Sequence, residues 1–327
     1  MIRPIIREGY SFNEAGAVGS RIGFAVHAAR TKEALMGAGV GIGKRDGSEN
    51  IVLHQCPAHL VQREEGFLNV LYTAWEAPDL PENYVNGAEQ MDMVIGTSAF
   101  VSCAFDQALP ARFPVRTVPL GINPGMFSYR KRKWEPGEPF IWLWVGSTAF
   151  RKGWDLVAEA WSKVRKPDRC WLYLKTTGRG QVEYSGNMVV DSRKLTEAGM
   201  ANLYHQAHGF IFPSYGEGFG LPLAEAMATG LPCLFVPWGG VTEFADRDTG
   251  FPLDFDLVPV DYGVTTTGAK ARVDSIVEQM ERVMSDYPAA VRIGKRASRR
   301  MKNGFTWKDT GRKMKVLLEG LVNGKFS

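Results

Sequence analysis

The sequence predicts an α/β protein built from two domains, each with a largely parallel β-sheet. The chain has 327 residues, which is enough for two domains of ordinary size. Short apolar runs typical of buried strands alternate with helical patterns along most of the chain, and this alternation is typical of parallel α/β architecture. A break rich in proline, glycine and basic residues at 121–138 divides the alternation into two series, so we interpret it as the link between the domains.

The first series predicts strands and helices in turn. Each strand is a short apolar run bounded by polar or turn residues, and each helix repeats its apolar positions every three or four residues. The predicted strands lie near Ile51–Gln55, Phe67–Thr73, Met93–Gly96 and Val115–Leu120. The predicted helices are Ser20–Met36, with Ser20 as its N-cap, Glu82–Gln90 and Ala99–Gln107.

The second series begins with the apolar run FIWLWVG at 140–146, which predicts a buried strand. Further apolar runs predict strands at Trp171–Lys175, at Met188–Val190, and on either side of 213–232. Predicted helices are Trp154–Lys166 and Leu195–Ala207, and after Gly250 the pattern becomes helical throughout, at Ala271–Asp286, Ala289–Met301 and Trp307–Leu321.

The composition excludes several classes of protein. Hydrophobic residues make up 45% of the chain, but none of its apolar runs approaches the ~20 residues that cross a bilayer. The start MIRPIIREGYSFNE lacks the long apolar core of a signal peptide, so we expect a cytoplasmic protein. The four cysteines are scattered without a C-x-x-C pair, which predicts reduced thiols and no structural zinc.

The charge pattern contains one local feature. A formal net charge of +4 does not by itself indicate a nucleic-acid partner. A basic run nevertheless occurs in the break, at Arg130, Lys131, Arg132 and Lys133. It has two interpretations: a solvated linker, or a contact with a phosphate-rich partner such as DNA or the inner membrane surface.

The most informative segment is PSYGEGFGLPLAEAMATGLP at 213–232. Its place between two apolar runs predicts a strand, a tight turn through Gly218, Phe219 and Gly220, and a short helix. Unpaired amides and the positive end of the helix dipole make such a turn an anion site. Glu217 lies at the mouth of this site and Glu225 on the helix. Backbone amides can bind a phosphate, and carboxylates can bind the hydroxyls of a sugar. The segment therefore predicts a nucleotide-sugar site.

This segment closely resembles the E-x7-E signature of retaining GT-B glycosyltransferases, in particular family 4. The resemblance implies that Glu217 contacts hydroxyls of the donor sugar and that Glu225 binds the ribose. It also implies two Rossmann-like domains facing across a cleft, with the C-terminal helix crossing back to the first. The corresponding boundaries are 1–123 for a short N-terminal acceptor domain, 124–138 for the linker, 139–303 for the donor-binding domain and 304–327 for the returning helix.

A second segment, VGSTAFRKGWDLVAEAW, also predicts phosphate binding. Arg151 and Lys152 precede a glycine and a helix, where two cations can hold a diphosphate. It resembles the family's R…K-G-x-D segment, in which an arginine and a lysine neutralise the leaving diphosphate. Lys152 matches directly, whereas Ser147 stands where the arginine is expected. Either Arg151 replaces it, or a cation after the next strand does, the candidates being Lys175 and Arg179.

Three further segments are candidates by position. Gly16 and Gly19 lie in a glycine-rich stretch before the first helix, where the family brings a loop to the donor phosphate. After the strand at 67–73, where the family carries a sugar-binding histidine, this sequence has Glu76, with His54 as the other candidate. Behind the signature, Gly239, Gly240 and Glu243 resemble the turn that lies under the nucleotide.

The sequence therefore predicts a retaining glycosyltransferase that moves a sugar from a nucleoside diphosphate sugar to an acceptor hydroxyl. The D-x-D pair of metal-dependent GT-A enzymes is missing at the strand ends, so we expect no metal cofactor. The expected acceptor is a glycan, a lipid-linked sugar or a small molecule. Two alternatives stay open: a phage-type enzyme acting on a modified DNA base, and an inactive nucleotide-sugar-binding protein.

Overall fold

The computed structural model of the protein describes residues 2–8, 18–43, 50–178 and 180–325, with only the backbone of 8 and 18–26. Strands and helices alternate along these residues. The strands are β1 (Pro4–Glu8), β2 (Ile51–Gln55), β3 (Leu68–Thr73), β4 (Met93–Gly96), β5 (Val115–Thr117), β6 (Phe140–Val145), β7 (Cys170–Lys175), β8 (Val182–Ser185), β9 (Met188–Asp191), β10 (Gly209–Phe212), β11 (Cys233–Phe235), β12 (Phe251–Pro252), β13 (Phe255–Asp261) and β14 (Thr265–Ala271). The helices are α1 (Val18–Gly37), α2 (Glu82–Glu89), α3 (Ala99–Ala108), α4 (Trp154–Lys163), α5 (Glu197–Gln206), α6 (Leu221–Ala228), α7 (Val273–Ser285), α8 (Tyr287–Gly304) and α9 (Trp307–Val322).

The chain divides into two compact units. The first contains Met1–Gly121, Val260–Thr267 and Phe305–Ser327, and the second contains Ile122–Pro259 and Gly268–Gly304. Segment 124–138, expected to be a linker, is packed into the second unit, where Phe127 and Arg132 are buried. Among the described residues, none of the helices is both long and apolar enough to span a membrane.

The first unit is built on a parallel sheet in the order β1-β2-β3-β4-β5. Its central strands β2, β3 and β4 are largely buried, as expected of parallel strands covered on both faces. Strand β1 was not predicted from the sequence, because PIIRE is short and half polar. Helix α1 begins at Val18, so Ser20 lies inside the first turn and is not the N-cap that we expected.

The C-terminal helix α9 belongs to the first unit. Thr306 and Asp309 form a capping box at its start, which fixes where the helix begins. It lies against α1 so closely that a Cβ at Gly311 would overlap the carbonyl oxygen of Ala34. Thr310 Oγ1 also donates to the Pro119 carbonyl at 2.9 Å. The C-terminal part of the chain, Phe305–Ser327, thus belongs to the same unit as its N-terminal part.

The second unit contains a sheet in the order β12-β11-β10-β6-β7-β9-β8. The strands are parallel, apart from β8, which pairs antiparallel with β9. From β6 the chain builds outward through β7 to β9, then returns to the other side of β6 with β10. The strand order therefore reverses between β6 and β10. In open α/β sheets, ligands bind at the carboxyl ends of the strands that flank such a reversal.

A two-stranded ribbon, β13–β14, interrupts the helical pattern predicted after Gly250. Its tip, Val260–Thr267, belongs to the first unit. There Tyr262 and Val264 pack against an apolar cluster that includes Trp75, and Thr266 Oγ1 donates to Asp79 at 2.7 Å. The ribbon was not predicted from the sequence because its strands are rich in threonine and charged residues. The apolar partners of its tip are also distant in the sequence.

Candidate active site

Two loops meet at the strand-order reversal of the second unit. One follows β6 and ends in a 3₁₀ turn at Phe150–Lys152; the other runs from β10 to helix α6. The Tyr215 amide donates to the Arg151 carbonyl at 2.7 Å, which ties the loops together. Between them, Gly153 has φ +64°, and a Cβ there would overlap the Pro213 carbonyl oxygen. Only glycine combines this backbone conformation with so close an approach.

Glu217 lies at the centre of this junction, with 8% of its surface exposed. Its Oε1 accepts hydrogen bonds from Lys152 Nζ and from Ser214 Oγ, the latter at 2.7 Å. Arg151 NH1 lies 3.8 Å from the same oxygen. Burial alone would raise the pKa of Glu217, but the charges of Lys152 and Arg151 and the two hydrogen bonds outweigh it and lower the pKa. The carboxyl group is therefore an anion held by two cations.

Glycines shape the turn that carries Glu217 into helix α6. Gly220 has φ +94° and is the residue before the helix. The Gly240 amide donates to the Glu217 carbonyl at 2.7 Å, and a Cβ on Gly240 would overlap the Gly218 carbonyl oxygen. This turn leads directly into the first turn of α6, whose amides and dipole favour an anion. The side chain of Phe219 is 2% exposed and packs on Phe244, so it faces the interior and not a ligand.

Glu225 lies one turn into α6 and has a different environment. Its Oε2 accepts a hydrogen bond from Tyr204 Oη of α5 at 3.1 Å. Among the described residues no cation pairs with it, and burial of the carboxyl group raises its pKa to about 8, against a modest lowering by the Tyr204 hydrogen bond. The two glutamates of the segment therefore differ in protonation near neutral pH: Glu217 is charged, and Glu225 carries a proton in the free protein.

Residues 139–286, which contain both loops, match the model of the family "Glycosyl transferases group 1". This part of the second unit is therefore similar to the group 1 glycosyltransferase domain. The chain is also 23% identical, over 227 residues, to an uncharacterized glycosyltransferase of Methanocaldococcus jannaschii, a match that covers 63% of this chain and 55% of that protein. The chain thus spans about half the length of this curated relative.

Solved structures share the fold. Sucrose-phosphate synthase from Thermosynechococcus elongatus superposes with a TM-score of 0.68 at 18% identity, covering 93% of this chain and 79% of that one. Anabaena HepE in complex with UDP-glucose superposes with a TM-score of 0.66 at 14% identity, covering 83% and 79%. The two parallel-sheet units therefore correspond to the two Rossmann-like domains of a GT-B fold.

Lys175 and Arg179 are the alternatives to Arg151 as the second cation, and Lys175 does not contact Glu217. Lys175 is 5% exposed, and its ammonium donates to the carbonyls of Thr176, Asp191 and Arg193 at 2.8, 3.1 and 2.5 Å. Burial lowers its pKa. An ammonium has three donors, so this side chain is fully used within the fold, against its expected role in donor binding. Arg179 lies outside the described residues, and Ser147 is partly exposed in the loop after β6.

The remaining candidate residues are in the first unit, apart from Glu243, which is in the second unit. Glu76 follows β3 and is partly exposed, and Glu243 ends the 3₁₀ turn Gly239–Glu243. His54 is 4% exposed within β2, where Nε2 lies 3.0 Å from Asn69 Oδ1 and burial lowers its pKa, so its role is structural. Gly19 lies in the first turn of α1, and Gly16 is outside the described residues.

The basic run does not act as one surface. Arg132 is 8% exposed, and its guanidinium donates to the carbonyls of Tyr204, His205, Ala207 and Thr229 and to Thr229 Oγ1, at 2.9 to 3.3 Å. These acceptors are at the C-terminal ends of α5 and α6, which favour a cation. Arg132 is therefore a cap shared by two helices and is removed from any contact with DNA or membrane. Arg130, Lys131 and Lys133 are exposed.

Two polar residues of the site were not predicted. Ser214 was visible in the signature segment, but nothing in the pattern indicated that its hydroxyl would reach Glu217. Tyr204 is 21 residues before Glu225 in the sequence and meets it only through the packing of α5 on α6. No pattern in the sequence could have paired these two residues.

Glu225→Gln is expected to stabilise the free protein increasingly as the pH rises from about 5 to about 8. In the unfolded chain the pKa of this carboxyl is near 4.5, whereas in the folded protein burial raises its pKa to about 8. The parent therefore loses folding free energy over this window, and glutamine, which cannot ionise, does not. Urea unfolding at several pH values measures the effect, with exposed Glu278→Gln as control. An equal difference between Glu225→Gln and parent at every pH would contradict the burial argument.

Proposed function

We propose that the protein is a retaining, metal-independent glycosyltransferase of the family 4 type that uses a nucleoside diphosphate sugar as donor. The observation that carries the proposal is the ion pair of Lys152 with Glu217, beside Arg151, at the strand-order reversal. It brings the carboxylate that we assign to the sugar and the two cations that we assign to the diphosphate to one point. Bound UDP-glucose in the structurally similar HepE supports a donor of this class and makes UDP sugars the first to test.

In the proposed reaction, the bond between the anomeric carbon and the diphosphate oxygen breaks while a bond to the acceptor oxygen forms on the same face. The acceptor proton passes to the leaving phosphate oxygen, so no protein base is needed. Arg151 and Lys152 stabilise the charge that develops on the diphosphate. Because an ammonium has three donors, Lys152 can serve Glu217 and a phosphate oxygen together. Glu217 orients the sugar and Glu225 binds the ribose.

The acceptor in this proposal is a glycan, a lipid-linked sugar or a small molecule, and the location is the cytoplasm or the inner membrane surface. A thermal-shift screen against UDP, GDP, ADP and TDP sugars tests the donor, because a ligand that binds only the folded state raises the melting temperature. Release of free sugar from the identified donor then separates an enzyme from an inactive nucleotide-sugar-binding protein. Absence of a shift with every donor would overturn the proposal.

Glu225→Ala is expected to weaken nucleotide binding roughly 5- to 150-fold, because two ribose hydroxyls lose a neutral carboxyl partner and each such hydrogen bond contributes ~0.5–1.5 kcal/mol. Glu217→Ala should mainly lower turnover, because its carboxylate acts on the sugar. Calorimetric titration with the nucleoside diphosphate and steady-state kinetics distinguish the two roles. If both variants bind and react like the parent, the assignment of the site is wrong.

Activity is expected to survive EDTA. The cations at the junction, Arg151 and Lys152, and the amides of the glycine turn supply the charge neutralisation that Mg²⁺ gives other transferases. Initial rates with and without chelator test this, with a metal-dependent transferase as positive control. Loss of activity in EDTA that Mg²⁺ or Mn²⁺ restores would contradict metal independence.

A further inference from the structure

Helix α8 has an unusual charge pattern. Its sequence from Tyr287 to Gly304, YPAAVRIGKRASRRMKNG, contains six arginine and lysine residues and lacks aspartate and glutamate. Its small and apolar side, which includes Gly294, Ser298 and Met301, is buried. On this side Ser298 Oγ donates to the Ala228 carbonyl at 2.6 Å, so the helix packs against the end of α6. The cations are consequently on the remaining faces.

Four of these cations form an exposed row: Arg292, Lys295, Arg299 and Lys302. Their spacing of three, four and three residues keeps them on one side of the helix over ~15 Å. The other two are engaged, since Arg296 donates to the Asp248 carbonyl and Arg300 pairs with Asp246 at 2.6 Å. Across the part of the chain that the structure describes, no hydrogen bond or ion pair involves the side chains of the row.

The segment 129–133 adds three exposed cations beside α8. The Arg130 amide donates to the Thr229 carbonyl at 3.1 Å, and the Tyr129 ring lies against Gly230. From the other side, α8 approaches the same point so closely that a Cβ at Gly294 would overlap the Gly230 carbonyl oxygen. The exposed Arg130, Lys131 and Lys133 thus lie at the same end of α6 as the row. We call these seven residues the cationic surface.

We propose that the cationic surface docks the phosphate backbone of a nucleic acid without reading its sequence. Over the ~15 Å of the row a DNA duplex presents about nine phosphate charges on its two strands, so phosphates are available for the four cations of the row. Its arginines suit the paired oxygens of phosphate. The surface is at the C-terminal end of α6, whereas Gly220 and Glu217 are at the N-terminal end, ~12 Å away for eight residues. It therefore holds a polyanion while the candidate active site stays open.

A membrane surface fits these observations less well. Helices that lie in a bilayer interface insert tryptophan, phenylalanine or leucine side chains. The apolar side of α8 is instead occupied by its own unit, and α8 contributes none of the large hydrophobic side chains that are exposed among the described residues. The inference does not depend on the proposed transfer reaction, since it concerns a surface away from Glu217.

The test uses the full chain and a short fluorescein-labelled DNA duplex of mixed sequence. Anisotropy titrations between about 50 and 200 mM NaCl give the affinity and its salt dependence. One variant replaces Arg292, Lys295, Arg299 and Lys302 by glutamine. The matched control replaces four exposed lysines of the first unit, Lys32, Lys308, Lys313 and Lys325, by glutamine, which gives the same net charge.

We expect the row variant to bind duplex about tenfold or more weakly and to flatten the logarithmic salt slope by about three to four, near 0.9 for each phosphate that it no longer neutralises. The control should stay within about twofold of the parent. The proposal is overturned if the parent does not bind duplex, if both variants lose equal affinity, or if only phosphatidylserine vesicles bind in a row-dependent manner. The donor thermal shift should be unchanged in the row variant, so failure of docking and failure of the proposed function are separable.

Discussion

Lys152→Ala should lower kcat by about 30- to 1,000-fold, the scale of ~2–4 kcal/mol for one preorganised electrostatic contact with the transition state. The reason is the position of its ammonium, which bonds Glu217 where the two loops meet. Arg151→Ala should cost a similar amount, and the double variant less than the sum, because both cations act on the same diphosphate. Steady-state kinetics measure all three, with the exposed Lys163→Ala on α4 as control.

The loss of Lys152 also leaves Glu217 buried with less compensation, and this effect on folding has to be separated from catalysis. Glu217→Gln in the Lys152→Ala background removes the uncompensated charge and should restore the free energy of unfolding. Activity should stay low in this double variant, because it lacks both the Lys152 ammonium and the Glu217 carboxylate. If activity returned with stability, neither group would be needed for the reaction. If Arg151→Ala left kcat unchanged while Arg179→Ala lowered it strongly, the second cation on the diphosphate would come from the loop after β7.

Arg132→Ala should lower the free energy of unfolding by about 3–5 kcal/mol. The substitution removes five hydrogen bonds and leaves the Tyr204 and Ala207 carbonyls at the end of α5 buried without their guanidinium donor, each costing ~1–3 kcal/mol before the structure relaxes or water enters. Arg132→Lys should recover only part of the loss, because one ammonium cannot reach acceptors spread over two helix ends.

Urea unfolding measures this loss, and Lys131→Ala and Lys133→Ala are the matched controls. Both neighbours carry the same charge but are exposed, so each should change the free energy of unfolding by less than about 0.5 kcal/mol. A variant at Arg132 as stable as these controls would show that water or local rearrangement satisfies the helix ends.

The sequence predicts local features of this protein well and distant pairings poorly. The strand, glycine turn and helix around Glu217 lie within some 20 residues, so apolar periodicity and turn chemistry reveal them. The charge of Arg132 is equally visible, but its burial depends on carbonyls more than 70 residues away. Lys175 illustrates the same problem, since two of its three acceptors, the carbonyls of Asp191 and Arg193, are 16 and 18 residues further along the chain. Residue type indicates which chemistry is possible. Only the packing decides which charged side chains are used within the fold and which can bind a ligand.

The β13–β14 ribbon has a consequence for how such a chain can be rearranged. Because Val260–Thr267 and Phe305–Ser327 belong to the first unit, the backbone crosses between units at 121/122, 259/260, 267/268 and 304/305, four times in all. A single cut near residue 121 therefore does not yield two separately expressible halves. The N-terminal fragment would lack α9 and the ribbon tip, and the C-terminal fragment would carry Tyr262 and Val264 without their apolar partners. A chimaera with a relative that exchanges one whole unit will therefore have to join the two sequences at all four crossings.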